Sequence, residues 1–387
     1  WSSDVCSSDL EVLGRPRLQG SLGELEEGFR EIFLQAVRAR LPAEGPIACH
    51  LSGGLDSTSI ACAAAWMAPG REVLGLSHMV GEGYQGVEPA GRSHRELRYV
   101  EAVLERYPNI RLVREDAGER GFLEGLEPFW EHCGDFPPNG LHRNWGAALA
   151  ERAATFGVDR VLTGLYGNAT FSWGRHPLPL PLFRLQQRLR ALWHPLRTQW
   201  RRTTALRPEW VGRLDLESRH WSVPADSRIP PLSKGILARF QPAWRALFGH
   251  ENLDPTLDRR VVEFCLQAPP RIFQRGSQRR LLARAAMRGI VPDRVLDRPD
   301  IGMQRPDWPL QMARQLPVFH EEVRRLSGCQ LARRFIDFEE IGRCLVPPDP
   351  SDFSHEATLL WERKILLGLM MGRFLEWVEQ GGTAASP

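Results

Sequence analysis

A short apolar run, Ile47 to Leu51, leads into Ser52-Gly53-Gly54 and then into an alanine-rich helix, Ser57 to Met67, closed by Pro69-Gly70. A buried strand, a glycine turn and a helix in that order open a βαβ unit, which narrows the fold to a sheet covered by helices. The alternation continues with a strand from Val73 to Val80, a helix from Arg95 to Arg106 and a strand from Ile110 to Val113. A helix from Trp145 to Phe156 and a strand from Val158 to Thr163 complete it. The pattern predicts an α/β region over about 42–180, with a parallel sheet covered by helices on both faces. A helix over 21–41 leads in, with Leu22, Leu25, Phe29, Ile32, Phe33 and Val37 at helical spacing, and Pro42 and Gly45-Pro46 end it.

Beyond Pro177, Pro179 and Pro181 the pattern changes. Residues 181–387 read as a mainly helical carboxyl-terminal region, with no strand alternation over 231–378. Between Leu182 and Arg213 stand eight arginines and one acid, Glu209. That stretch reads as a solvated amphipathic helix pair, with a surface for an anionic substrate or RNA as the alternative. Residues 1–10, WSSDVCSSDL, repeat Ser-Ser-Asp and lack both a basic and an apolar segment, so they are not a signal peptide. We read them as a scar joined to a truncated gene start, with a natural Ser-rich tail as the alternative. Cys6 is therefore not a candidate nucleophile, and residues 11–41 form the lead-in.

The 387 residues are 42% hydrophobic and 25% charged, with mean hydropathy −0.32, which fits a globular protein and excludes wholesale disorder. No run approaches the roughly 18 uncharged apolar residues that a membrane span needs. The seven cysteines are scattered and never form a CxxC pair, which argues for a reducing cytoplasm and against a disulfide framework or a zinc site. A net charge of +3 does not call for a nucleic-acid partner. Of the 50 basic residues only Lys234 and Lys364 are lysines, so a mechanism that needs a catalytic lysine has two candidates.

The chemistry concentrates in Leu51-Ser52-Gly53-Gly54-Leu55-Asp56-Ser57-Thr58, at the first βα turn. Two glycines let backbone N–H groups close on an anion, and the following helix points its positive end at the same place. Ser52, Ser57 and Thr58 add hydroxyl donors. A bare carboxylate at Asp56 would repel phosphate, and a Mg2+ ion between them resolves the conflict. No Gly-Lys-Ser/Thr follows, so the loop is not a Walker A sequence.

SGGLDS resembles the pyrophosphate loop of the N-type ATP pyrophosphatases, whose fold is that of the adenine nucleotide alpha hydrolases. Four further stretches resemble the synthetase domain of the asparagine synthetase family, whose relatives include β-lactam synthetases and lasso-peptide cyclases. Leu76 to Val80 is similar to the strand whose end lies over adenine. Val161 to Phe171 resembles VLSGEGSDEVF, Glu251 to Asp258 resembles ExRxPFLD, and Arg280 to Met287 with Val291-Pro292 resembles KxLLRxA followed by LP. The resemblance spans about 20–310.

It implies an ATP- and Mg2+-dependent ligase that adenylates a carboxylate, releases pyrophosphate and lets a nitrogen nucleophile displace AMP. Aspartate, giving asparagine, is the default substrate. A lasso-type macrolactam cyclase acting on a peptide carboxylate, or an impaired nucleotide-binding module, are the alternatives, and an RNA-modifying relative is a third. Carried over residue by residue, Ser52, Gly53, Gly54, Ser57 and Thr58 cradle pyrophosphate, and Leu51, Val80, Thr163 and Gly164 frame adenine and ribose. Asp56 and Asn168 hold the metal, Asn168 standing where the family keeps an aspartate, while Leu165 and Ala169 replace its glutamates. The family lysine of RxKxG falls at Asp300 within Arg298-Pro299-Asp300-Ile301-Gly302, so either Arg298 or Arg305 stabilises the developing charge, the substrate differs, or catalysis is impaired. Glu251 is the candidate for positioning or deprotonating the nucleophile. About fifty residues precede the loop, too few for the family's glutaminase domain, so ammonia is expected from a missing or separate domain.

Overall fold

A computed structural model describes residues 16–80, 84–116, 120–134, 140–173, 204–210 and 236–382. The amino-terminal Ser-Ser-Asp repeat, Lys234 and most of the arginine-rich stretch lie outside the described residues. Helix α1 (Leu22–Arg38) starts at a reciprocal cap. Ser21 Oγ accepts the Glu24 N–H at 3.3 Å, and Glu24 Oε2 accepts the Ser21 N–H at 2.8 Å. This pairing satisfies two donors that a helix start leaves free. The predicted stripe is buried at Leu25, Phe29, Phe33 and Val37.

The alternating region follows as β1 (Ile47–His50), α2 (Leu55–Met67), β2 (Val73–His78), β3 (Arg92–Ser93), α3 (Leu97–Arg106), β4 (Ile110–Glu115), α4 (Glu127–Cys133), α5 (Gly140–Ala154) and β5 (Arg160–Leu162). Then come α6 (Ile236–Phe248) and β6 (Glu251–Leu253). The main sheet is parallel in the order β4-β2-β1-β5-β6. The expected α/β architecture is observed, with one correction. The sheet takes its fifth strand, β6, from a region whose sequence reads as helical throughout. Three residues beside a long helix carry too little alternation to register as a strand.

Successive residues of a strand face opposite sides. Ile47 and Cys49 pack toward α1 and α2, whereas Ala48 joins Leu74, Leu76, Val113, Leu149 and Ala153 beneath α5. Every residue of α2 from Thr58 to Ala65 is buried. Its alanines let it lie close to both α1 and the sheet, where larger side chains would overpack the layer.

After β6 the chain adds α7 (Arg259–Gln267), a hairpin of β7 (Gln274–Arg275) and β8 (Gln278–Arg279), α8 (Leu281–Ala286), α9 (Asp293–Leu296) and β9 (Ile301–Gly302). Val261, Phe264, Leu282, Met287 and Ile290 return to the core of α1 and α2. β9 pairs in parallel with β3, Arg92 opposite Ile301 and Ser93 opposite Gly302. Helices α10 (Trp308–Leu326), α11 (Gln330–Phe335), α12 (Phe338–Cys344), α13 (His355–Leu359), a π-helical stretch Leu360–Leu366 and α14 (Leu367–Glu379) build a second core around Phe319, Trp361, Ile365 and Met370.

β1 neighbours β2 on one side and β5 on the other, so the loops leaving their carboxyl ends diverge. Ligand crevices of open α/β sheets form at such a switch point.

Candidate active site

The crevice is a cleft of about 380 Å³. Its floor is the loop 51–57, and its sides are residues 76–80, 94–97, 164–168 and 298–306 with Arg280 and Trp145.

Gly53 has φ +72, a conformation that L side chains rarely adopt, and a Cβ there would sit 2.9 Å from the Glu96 carbonyl oxygen. Gly54 caps α2 without a side-chain bond to the helix start. The loop hydroxyls organise one another. Ser52 and Ser57 Oγ lie 2.9 Å apart, Ser57 Oγ accepts the Ser52 N–H at 3.2 Å, and Ser52 Oγ accepts the Gly54 N–H at 3.2 Å. The result is a helix start with polar groups collected around it, the arrangement that receives an anion.

Asp56 occupies the first turn of α2. Its Oδ1 is buried without a hydrogen-bond partner, and burial pushes its carboxyl above the ordinary value, against the pull of Ser172 and Arg280. An orphaned, desolvated carboxylate oxygen under an anion cradle has the chemistry of a hard-cation ligand. The loop carrying Asn168 closes over it. A Cβ at Gly164 would lie 2.9 Å from the Ser57 nitrogen, and one at Gly167 would lie 2.6 Å from Asp56 Oδ1, so both positions require glycine. Phe171 anchors that loop by stacking on Phe29 at 5.8 Å and packing on Phe33 at 5.0 Å. Asn168 Oδ1 accepts from Arg280 Nη2 at 3.2 Å. Any metal ligation by Asn168 would compete with that guanidinium.

Not every residue expected at the site reaches it. Leu51, Ser52, Gly54, Asp56, Ser57, Val80, Gly164, Asn168 and Arg298 line the cleft. Gly53, Thr58 and Thr163 stand behind its walls. Thr58 is fully buried, Thr163 donates its N–H to the Leu253 carbonyl at 2.9 Å, and Gly53 offers its carbonyl to Arg298. Glu251 is not brought to the cleft. It opens β6, at the strand end away from the switch point, and pairs with Arg245 at 2.7 Å. The acid at the other end of that strand is Asp254, which accepts the Tyr166 N–H at 3.0 Å and the Thr256 hydroxyl at 2.6 Å. Burial holds it up at about 6.

The segment 298–302 forms the opposite side. Arg298 is buried, donates from Nη1 to the Gly53 carbonyl at 2.9 Å, and stacks over the Tyr99 ring at 4.2 Å. Its Nε donates to Asp300 Oδ1 at 2.9 Å. Asp300 also accepts from Arg98 and from the Tyr99 hydroxyl at 3.1 Å. Arg305 is spent elsewhere, donating to the Leu141 carbonyl at 2.6 Å and lying over Phe122. Lys364 is buried in the second core, bonded to Glu340 at 2.9 Å. Sequence reasoning missed Glu96, Arg98, Tyr99, His78 and Trp145, all of which line the cleft or brace its wall. The glycine at 302 was a usable signal, since a Cβ there would collide with the Glu96 carboxylate.

The asparagine synthase family profile matches residues 28–361. The chain belongs to the asparagine synthase family. Membership supports ATP-dependent formation of carbon–nitrogen bonds as its general class. A 38-residue stretch is 58% identical to the amidase chry2 of Gibberella zeae, covering 10% of this chain and 6% of that protein. No described helix is long and apolar enough to cross a membrane.

Proposed function

We propose that this asparagine synthase family member adenylates a carboxylate with ATP and then transfers it to a nitrogen nucleophile, releasing AMP. The observation that carries the reading is Asp56, a half-buried residue with one buried, orphaned carboxylate oxygen beneath the loop and helix start that would receive the phosphates. A bound Mg2+ would neutralise the phosphates there. Asp56 would hold it, with Asn168 contributing a carbonyl oxygen when Arg280 releases it.

The loop N–H groups and the Ser52 and Ser57 hydroxyls orient the β and γ phosphates as pyrophosphate leaves. Arg298 fixes the loop through the Gly53 carbonyl, so the cradle is preorganised rather than assembled on binding. Arg280 faces the same phosphates as a permanently charged clamp. Free aspartate is the default substrate and asparagine the default product. A peptide carboxylate closed into a macrolactam is the rival within the same chemistry. The nitrogen comes as ammonia from a glutaminase domain or partner, or as an amine of the substrate. No disulfide joins the described cysteines.

ATP–pyrophosphate exchange across a panel of carboxylates at ample Mg2+ tests the reading. Exchange with at least one carboxylate supports it, and none with any member sinks it. The second reading, a nucleotide-binding module without turnover, draws on Asp300 standing where a lysine is expected and being fully engaged by Arg98, Arg298 and Tyr99. It predicts ATP binding by calorimetry without AMP formation.

A further inference from the structure

We propose that Glu96 is the proton acceptor of the amide-forming step, taking the proton from the amine as it attacks the acyl-adenylate. This rests on the ligase reading above. In that step the amine nitrogen forms a bond to the acyl carbon. The bond from that carbon to the phosphate oxygen breaks, its electron pair leaving on AMP. The surplus N–H proton passes to the Glu96 carboxylate and from there to water.

Among the described residues three carboxyl groups line the cleft: Asp56, Glu96 and Asp300. Asp56 lies under the phosphates and carries the cation chemistry. Asp300 already accepts from two guanidinium groups and a phenol, so its lone pairs are committed. Glu96 has a single side-chain partner, Arg298 Nη1, at 3.4 Å from Oε1. That contact is long for a charge-assisted bond and leaves the carboxylate free to accept a proton.

Its placement is as specific as its freedom. Glu96 precedes the first turn of α3, and its carbonyl oxygen abuts Gly53 of the pyrophosphate loop. On the other side its carboxylate fills the space that a side chain at Gly302 would occupy. The group is thus fixed between the loop that would hold the phosphates and the strand β9 that walls the cleft. A general base needs this proximity first and a matched acidity second.

The acidity fits. Burial, reinforced by the negative charge of Asp300, outweighs Arg298 and lifts Glu96 to about 7. The ionisable groups that act on it are Arg298 and Asp300 from the 298–302 segment, while its chain neighbours are engaged elsewhere, His94 and Arg95 with Glu88, and Arg98 and Tyr99 with Asp300. Gly53, its neighbour on the loop, carries none. His94 is the competing base. It also lines the cleft, and its Nδ1 lies 3.1 Å from Glu88 Oε1.

The test separates the two half-reactions in the full chain. ATP–pyrophosphate exchange reports adenylation, and AMP release with L-aspartate and ammonium chloride reports amide formation. With Glu96→Gln, exchange stays within about threefold while ammonia-dependent AMP release falls about 100-fold. In the wild-type enzyme amide formation rises with pH through about 7 as Glu96 ionises, and that limb disappears in Glu96→Gln. Hydroxylamine, a nucleophile that sheds its proton more readily, restores most of the lost rate, and Glu96→Asp restores part of it. Three results overturn the proposal: exchange and amide formation falling together, a limb near 7 that persists in Glu96→Gln, or a limb that disappears with His94→Gln instead. Wild-type protein that shows no exchange with any carboxylate overturns the ligase reading and Glu96 with it. Intact amide formation in Glu96→Gln overturns Glu96 alone.

Discussion

Two aspartates face the same cleft in opposite states. Asp56 is half-buried and holds one buried oxygen without a hydrogen-bond partner, whereas Asp300 is held by Arg98, Arg298 and Tyr99 at once. The first is costly to the folded chain and makes sense only when a ligand arrives. The second is an internal brace that needs no ligand. The contrast sets an acid left open to a ligand against an acid already braced, and it teaches that an acid's charge says less about its role than the donors already pointed at it.

The sharpest way to break the contrast is at the brace. Arg298→Met removes the bond to the Gly53 carbonyl and leaves Asp300 with Arg98 as its remaining cation. Losing one partner of a buried pair costs about 3–5 kcal/mol, read as a lower urea midpoint, and the loop loses its anchor in the same step. If stability stays within about 1 kcal/mol of wild type, the brace is ornamental.

Asp56→Asn tests the other side. Exchange should fall about 100- to 1000-fold, comparable with removing one preorganised group from a charged transition state. Stability should move the other way. Burial raises the folded-state carboxyl above its unfolded value, so ionisation costs stability as pH rises through the folded value. At pH 8 and without ATP the asparagine variant therefore melts no lower than wild type. A variant that loses stability and activity together shows Asp56 to be a structural acid like Asp300.

Asp300→Asn should cost about 1–3 kcal/mol, because it leaves the Arg98 and Arg298 guanidinium groups beside a neutral acceptor. Restoring the family residue with Asp300→Lys places a third cation against those two. It should lower the melting temperature further without raising exchange, and a gain in exchange would show that the native site is impaired. The smallest effect is expected at Asn168→Asp, which adds a charged ligand opposite Asp56. Binding of Mn2+ in the presence of ATP, followed by electron paramagnetic resonance, should tighten about tenfold, close to 1.4 kcal/mol.

These differences follow from how far apart in the chain the partners lie. The pyrophosphate loop is local. Its strand, turn and helix occupy one short stretch, so residue types alone identify it. The wall at Glu96 was not legible, because what positions it comes from Arg298, 202 residues away, and from Gly302. Nor does a sequence position reveal that Asp300 is surrounded by donors, since Arg98 approaches from helix α3, 202 residues away. Glu251 was misplaced for a different reason. Three strand residues span about 7 Å between first and last Cα, so an acid at the start of β6 and one just beyond its end lie at opposite ends of the strand. The Asp254-Pro255-Thr256 turn, which caps itself, marked the end that faces the loop.

The bond from Arg298 to the Gly53 carbonyl joins residues 245 apart. On the ribosome the loop 51–57 emerges long before the arginine that locks it, so the nascent chain cannot anchor the loop until residue 298 has left the exit tunnel. A chain that stops short of that arginine carries the whole loop motif and still lacks the anchor that fixes it.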